Sequence, residues 1–250
     1  MALRRVALIQ ARTTSTRLPG KVLADLGGAP MLAREIERVR RASRVDDVVI
    51  ATTTNREDDG VVAVAEGAGA RWFRGSEHDV LGRMAGAARE ARADIALRLT
   101  ADCPFLDPGV IDRAVALLEE SLTPLDYVTT EPPATFPRGI DVEVLHADVL
   151  ARVDRMARSR AAREHVTFFI YGEEPTLFRA ATLTDTRDNS AERWTVDTPD
   201  DLALVRALWS ALDMGSVARS YEDILAYLQA HPELRALNAH VPQRAPGAEP

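Results

Sequence analysis

Apolar residues fall in short blocks along this chain. Arg5–Gln10 (Arg-Val-Ala-Leu-Ile-Gln) is almost continuously apolar and ends in a polar segment. Such a run predicts a strand buried on both faces of a parallel sheet, because a half-exposed strand would alternate. The pattern returns at Asp47–Thr52 and Asp94–Thr100, and in short form at Arg71–Phe73. Between these blocks the period lengthens to that of a helix, over Met31–Arg41, Asp58–Gly67, Val80–Ala93 and Pro108–Glu120. Ala85–Ala93 and Leu204–Leu212 carry stripes of small or apolar residues that read as packing against a sheet.

Strands and helices alternating in this way predict a doubly wound, mostly parallel (Rossmann-like) α/β sheet with helices on both faces. Ligands of such sheets bind beyond the carboxyl ends of the strands. Three polar segments follow strands here: Ala11–Lys21, Thr52–Asp58 and Thr100–Pro104. Topology alone places them along one edge.

Residues Leu125–Thr182 are less regular. Tyr127–Thr130 predicts a strand, Glu131–Gly139 a proline-rich loop, Ile140–Leu145 an alternating strand and Ala147–Arg158 a helix. Glu164–Tyr171 reads as a short helix or strand, and Leu177–Thr182 as a strand. The stretch 125–182 is expected to be an insertion on the sheet edge, within a single domain of residues 1–240. Trp194–Val196 opens the last core unit as a strand, followed by helices over Asp200–Leu212 and Tyr221–His231. Residues 241–250, with three prolines and a glycine, predict a disordered tail.

Composition narrows the function. At 250 residues and 46% hydrophobic, the chain is long enough to bury a large core. A formal net charge of −7 argues against nucleic-acid binding, which needs a basic face. A small anion needs only a local cluster of cations. Cys103 is the single cysteine, so no internal disulfide is possible; between the apolar Leu99 and Phe105 it reads as a packed thiol. No apolar run is long enough for a membrane helix or a signal peptide, and a cytoplasmic protein is expected.

The first polar loop, Ala11-Arg-Thr-Thr-Ser-Thr-Arg-Leu-Pro-Gly-Lys21, combines three kinds of anion donor. Its small residues let backbone N–H groups turn inward. Arg12 and Arg17 bring forked guanidinium groups, and Lys21 brings a point charge. It is neither a Walker loop nor a G-x-G-x-x-G fingerprint. The residues by themselves fit either an anion cradle or a solvated basic loop.

The acids also admit two readings each. Asp102, two residues past a strand and before Pro104, is either a turn former or a ligand on the binding edge. Asp197 or Thr198 suits a helix N-cap, with Pro199 in the first helical position. Asp141 and Glu143, two apart on a predicted strand, share a face and suit substrate hydroxyls, a cation or solvent. Arg138 beside them suits a carboxylate or phosphate. His165 is either a structural group or an acceptor contact.

The loop is similar to the N-terminal signature of the cytidylyltransferases that include SpsF-like spore-coat polysaccharide proteins. Their relatives are the CMP-acylneuraminate and CMP-3-deoxy-manno-octulosonate synthetases. Further matches follow in order: Arg74-Gly-Ser-Glu-His-Asp-Val-Leu81, Leu99-Thr-Ala-Asp-Cys-Pro104, Arg138-Gly-Ile-Asp-Val-Glu143, Arg163-Glu-His-Val-Thr167 and Thr195-Val-Asp-Thr-Pro-Asp-Asp-Leu202. The resemblance spans about residues 4–210. Where the family loop usually carries a glycine, this chain has Thr13-Thr14.

The resemblance implies transfer of CMP from CTP to a small anionic or sugar-acid acceptor, with release of pyrophosphate. It implies nucleotide binding by Gln10, Ala11, Arg12, Ser15, Arg17 and Lys21, with Ser76 and Asp79 near the base. Arg12, Arg17, Lys21 and Asp102 are its catalytic candidates. Asp102 and Asp197 would hold Mg²⁺, leaving Thr198 to cap the helix. Arg138, Asp141, Glu143 and His165 would meet the acceptor, and the stretch 125–182 would form a homodimer contact. Another nucleoside triphosphate, a nucleotide-sugar-dependent glycosyltransferase and a non-catalytic nucleotide-binding module are the alternatives.

Overall fold

The computed structural model describes residues 3–242. Seven strands form one sheet: β1 (Arg5–Gln10), β2 (Asp47–Thr53), β3 (Arg71–Gly75), β4 (Ile95–Thr100), β5 (Tyr127–Thr129), β6 (Glu143–His146) and β7 (Ala180–Thr182). Their order is β3-β2-β1-β4-β6-β5-β7. β6 runs antiparallel to both of its neighbours, and every other pairing is parallel. The doubly wound, mostly parallel sheet expected from the sequence is present.

The continuous apolar runs have a direct explanation. Ala7 and Ile9 point into one core, and Val6 and Leu8 into the other; all four are fully buried. In β2, Val48 and Ile50 serve the first core, Val49 and Ala51 the second. A strand between two helix layers has no wet face, so alternation disappears. Each valine, leucine or isoleucine so removed from water stabilises the fold by about 1.5–3 kcal/mol.

One layer holds α1 (Met31–Val39), α2 (Asp59–Gly67), α4 (Pro108–Glu120), α7 (Pro199–Ala211) and α8 (Tyr221–Ala230). The other holds α3 (Val80–Ala91), α5 (Ala147–Met156) and α6 (Arg160–His165). Helix starts follow the capping chemistry of the sequence. Thr198, not Asp197, is the N-cap of α7, in a capping box with Asp201 and with Pro199 in the first turn.

Three stretches depart from expectation. The strand expected over Ile140–Leu145 begins only at Glu143. Residues 138–141 instead leave the sheet and bond to the segment before α7: Trp194 N–H donates to the Arg138 carbonyl (2.8 Å), and Arg138 N–H to that of Glu192 (2.9 Å). Gly139 makes this approach possible, with φ of +104° and an ideal Cβ position only 2.9 Å from the Thr195 nitrogen.

Trp194–Val196, expected as a strand, joins no strand of the sheet. Its backbone is held by Arg138 on one side and, through Val196 N–H to the Asp102 carbonyl (2.8 Å), on the other. Its alternating apolar side chains are real, since Trp194 and Val196 are fully buried, but its hydrogen bonds go to loops. Glu164–Tyr171 holds the end of α6, a turn at 166–167 and the start of a π turn at Phe169–Glu173; Leu177 ends a 3₁₀ turn (Pro175–Leu177) and the short β7 begins at Ala180. Most of the tail expected at 241–250 lies outside the described residues.

Candidate active site

β1 and β4 are neighbours, with Gln10 opposite Thr100, so the segments that follow them emerge side by side. Ala101 N–H donates to the Gln10 carbonyl (3.1 Å), and Ala11 N–H to that of Ala51 at the end of β2 (3.1 Å). The three polar segments therefore rise from one edge of the sheet. A cleft of about 210 Å³ opens there. Arg17 comes from the first loop, Thr100 and Asp102 from β4 and its loop, Arg138 and Asp141 from the strand-leaving segment. Arg193, Thr195 and Asp197 close it from the stretch before α7.

Lys21 does not line the cleft itself but binds two of the acids that do. A 3₁₀ turn, Lys21–Leu23, starts after Gly20 in the left-handed conformation and aims the lysine inward. Its ammonium donates to Asp102 Oδ2 (2.9 Å), Asp197 Oδ1 (2.9 Å) and the Val196 carbonyl (2.8 Å). Burial works against its charge, yet the two carboxylates prevail and raise its pKa. Burial would likewise raise Asp102, but the Lys21 charge, its hydrogen bond and one from Thr100 hold that carboxyl down at about 2. The far oxygen of Asp197 receives Arg17 (3.0 Å) and Arg193 (2.8 Å).

Arg193 is in turn fixed by the fully buried Asp201, which also accepts from the Asp197 and Thr198 backbone N–H groups. The orientation of Asp197 is thus set by the same acid that completes the helix cap. Asp141 is a second kind of acid. Burial, then the nearby Glu131, raises its pKa well above the usual carboxylate range despite Arg138. The Thr195 hydroxyl lines the cleft and is buried without a hydrogen-bond partner among the described residues.

The first loop is held from outside. Thr13 donates through both its N–H (2.7 Å) and its hydroxyl (2.8 Å) to the buried Asp58. The Thr14 hydroxyl donates to Glu77 (2.8 Å), which also receives Asn55 (2.7 Å) and Arg12 (3.4 Å). Gly20 N–H closes back on the Thr13 carbonyl (2.9 Å). Neither threonine adopts positive φ; within the loop only Gly20 does. The turn is therefore tied by hydroxyls where the family usually places a glycine. Ser15 sits inside it, with its hydroxyl 3.5 Å from Leu18 N–H.

Other candidates lie elsewhere. Glu143 does not line the cleft. Its carboxylate is taken by Arg98, Thr167 and Tyr127 (2.5 Å), in a buried network that reaches Gln10 through Arg98 (3.3 Å). Asp79 caps α3 by accepting from Gly82 N–H (2.9 Å), and it pairs with Arg163; Ser76 caps the turn before it. His165 ends α6, and its side chain does not line the cleft. Cys103 is buried beneath the site, as a packed thiol should be. The sequence reading passed over Arg193, Thr100, Thr195, Asp58 and Glu77. Glu77, Thr100 and Thr195 lie within the matched motifs without a role of their own there, and Arg193 is signalled by its spacing of four from Asp197.

Comparison with known proteins agrees with this architecture. The cytidylyltransferase family model matches residues 6–232. The spore coat polysaccharide biosynthesis protein SpsF of Bacillus subtilis is 34% identical over 209 residues, 81% of this chain and 85% of that protein. A 3-deoxy-manno-octulosonate cytidylyltransferase of an Anaeromyxobacter species is 31% identical, covering 84% of this chain and 98% of its own. Among solved structures, a cytidylyltransferase from Leptospira borgpetersenii superposes with a TM-score of 0.87 at 31% identity, over 93% of this chain and 97% of that one. The chain belongs to the cytidylyltransferase family, and so to the nucleotidyltransferases.

Proposed function

We propose that this protein transfers CMP from CTP to a small anionic sugar or sugar-acid acceptor and releases pyrophosphate. The carrying observation is the convergence of Asp102 and Asp197 on one cation, the Lys21 ammonium, in a cleft rimmed by arginines. The two relatives' names, one in spore coat polysaccharide synthesis and one a sugar-acid cytidylyltransferase, support a saccharide-type acceptor.

The donor set suits Mg²⁺, which favours one or two carboxylates and takes its other ligands from phosphate oxygens and water. Asp102 and Asp197 supply those two carboxylates and would hold the ion, and no third acid or histidine completes a protein cage among the described residues. Bound there, Mg²⁺ would neutralise the triphosphate and withdraw charge from its α-phosphorus. Arg12, Ser15, Arg17, Lys21 and the loop amides would bind the triphosphate. Arg17 and Lys21 stabilise the charge that grows on the departing pyrophosphate. Lys21, lodged between the two acids, has to turn toward phosphate as CTP arrives.

Arg138, with Thr195 and Asp141 beside it, faces the same cleft and suits an anionic acceptor bearing hydroxyls. With its pKa raised by burial and by Glu131, Asp141 repels an anionic acceptor less than an ordinary carboxylate would. Glu143 acts one layer back, fixing Arg98 and Gln10. Dimerisation through residues 125–182 is part of the proposal. The test is pyrophosphate release with each of the four nucleoside triphosphates and a panel of sugar acids. Turnover with CTP alone among them is the expected result; a preference for another base refutes the assignment.

A further inference from the structure

A second cavity, of about 450 Å³, lies between the end of α1 and the starts of α4 and α8. It shares no lining residue with the CMP-transfer cleft. Its size is that of a small-molecule site. Four arginines line it: Arg38, Arg41, Arg113 and Arg219.

No carboxylate pairs with any of the four among the described residues. Arg38 is 2% exposed, and its guanidinium donates only to the carbonyls of Leu106 (2.9 Å), Phe105 (3.4 Å) and Arg219 (3.2 Å). Arg219 donates to the Leu212 carbonyl (3.0 Å). Arg113 donates to the Thr184 carbonyl (3.3 Å) and lies over the Phe136 ring. Burial, opposed by the charge of Asp107 and helped by that of Arg41, lowers the pKa of Arg38 to about 10. Some other arginines are ion-paired, as Arg5 and Arg44 are with Glu119 and Arg152 with Asp126, and others such as Arg40, Arg83 and Arg206 also donate to carbonyls; what sets this cavity apart is that four without a carboxylate partner gather in one lining.

The acid nearest to them is already committed. Asp107 Oδ1 accepts from Val110 N–H (3.0 Å) and Oδ2 from Tyr221 N–H (2.9 Å), so one side chain caps both α4 and α8. The first turns of those helices therefore meet at the cavity and add their positive dipole ends. Four guanidinium groups against Asp107 and Glu222 leave an excess of two positive charges in the lining.

We propose that this cavity is a binding site for a phosphorylated small molecule, distinct from the nucleotide cleft. A phosphoryl group carries close to two negative charges and three acceptor oxygens, which matches the excess and the forked donors. The apolar walls from Pro108, Val110 and Tyr221 would hold the remainder of the molecule. The segment 102–107 connects this cavity to Asp102, since Phe105 and Leu106 carry Arg38 and Asp107 binds both helices.

The test is calorimetric titration with inorganic pyrophosphate in the presence of a chelator, on the wild type, on Arg17→Gln, and on the double variant Arg41→Gln/Arg113→Gln. The last two arginines are exposed, so the double variant retains its fold, as its circular dichroism spectrum will report. One binding event survives Arg17→Gln and weakens at least about tenfold in the double variant. Identical titrations for wild type and double variant overturn the proposal, as does an Arg17→Gln protein that binds nothing. Glycerol phosphate, but not citrate at the same concentration, displaces pyrophosphate from this event; displacement by citrate alone refutes the phosphoryl assignment.

Discussion

Lys21 and Asp197 are 176 positions apart in the chain and 2.9 Å apart in space. The contact joins the loop after the first strand to the segment before α7, with Asp102 from the middle of the chain bound to the same ammonium at 2.9 Å. Removing the lysine leaves two acids facing one another in a partly buried cleft. Lys21→Met should lower kcat about 10²–10³-fold in a pyrophosphate-release assay. It should also lower unfolding free energy by about 3 kcal/mol, because an unpaired charge in a desolvated site costs more than the pair contributes. Adding Asp102→Asn to Lys21→Met should restore part of the stability and none of the turnover. A simple sum of the two single effects in denaturant melts would refute the coupling.

Chelating divalent cations should abolish turnover, and Mg²⁺ should restore it. Asp102→Asn should raise the Mg²⁺ needed for half-maximal rate at least about tenfold. Asp201→Asn should raise it less, since Asp201 does not line the cleft and acts on Asp197 through Arg193 and the backbone. Rate-against-Mg²⁺ curves that coincide for wild type and Asp102→Asn would remove the aspartate from the metal site.

The threonines of the phosphate loop act as ties. Thr13→Gly should destabilise the protein by about 1–2 kcal/mol. It removes the hydroxyl bond to Asp58 and frees the unfolded backbone. Asp58→Ala should raise KM for CTP more than it changes kcat, because it loosens a binding loop. A Thr13→Gly protein that melts above the wild type would show the ties to be dispensable.

Glu35 gives a pH test. It is fully buried on α1, neither carboxylate oxygen has a partner within hydrogen-bond geometry among the described residues, and burial followed by the charge of Asp102 raises its pKa well above the ordinary value of 4.5, against the opposing Cys103 backbone and Lys21. A raised folded-state pKa means that the folded protein binds the proton more tightly. That contribution is present below the unfolded pKa and is lost as pH rises through the folded one. Glu35→Gln lacks this loss. Its Tm advantage over wild type should therefore grow between about pH 4.5 and neutrality. A constant difference across that range would refute the raised pKa.

The sequence by itself determined the sheet and the edge on which the cleft lies. Runs such as Val6–Ile9 and Val48–Ala51 are apolar without alternation because both faces of their strands are covered, a local signal of a parallel sheet. The order of polar segments after strands placed Lys21 and Asp102 on one edge, and the capping pattern Thr198-Pro199-Asp200-Asp201 marked the start of α7. The fate of Ile140–Val142 and Trp194–Val196 was decided only in three dimensions. Alternation reports burial, but whether a backbone pairs with a strand or a loop depends on what folding brings beside it.

The same limit governs the partners. No local pattern assigns a partner to Asp58, to Glu77 or to the four arginines of the second cavity. Their meaning comes from distances between segments as far apart as Arg38 and Arg219, which no local pattern encodes. Asp141 and Glu143, two apart and expected to share a face, separate because the chain leaves the sheet between them: one lines the cleft and the other locks a buried network. Periodicity is set by each residue's near neighbours, whereas a site is set by which loop ends the topology brings together.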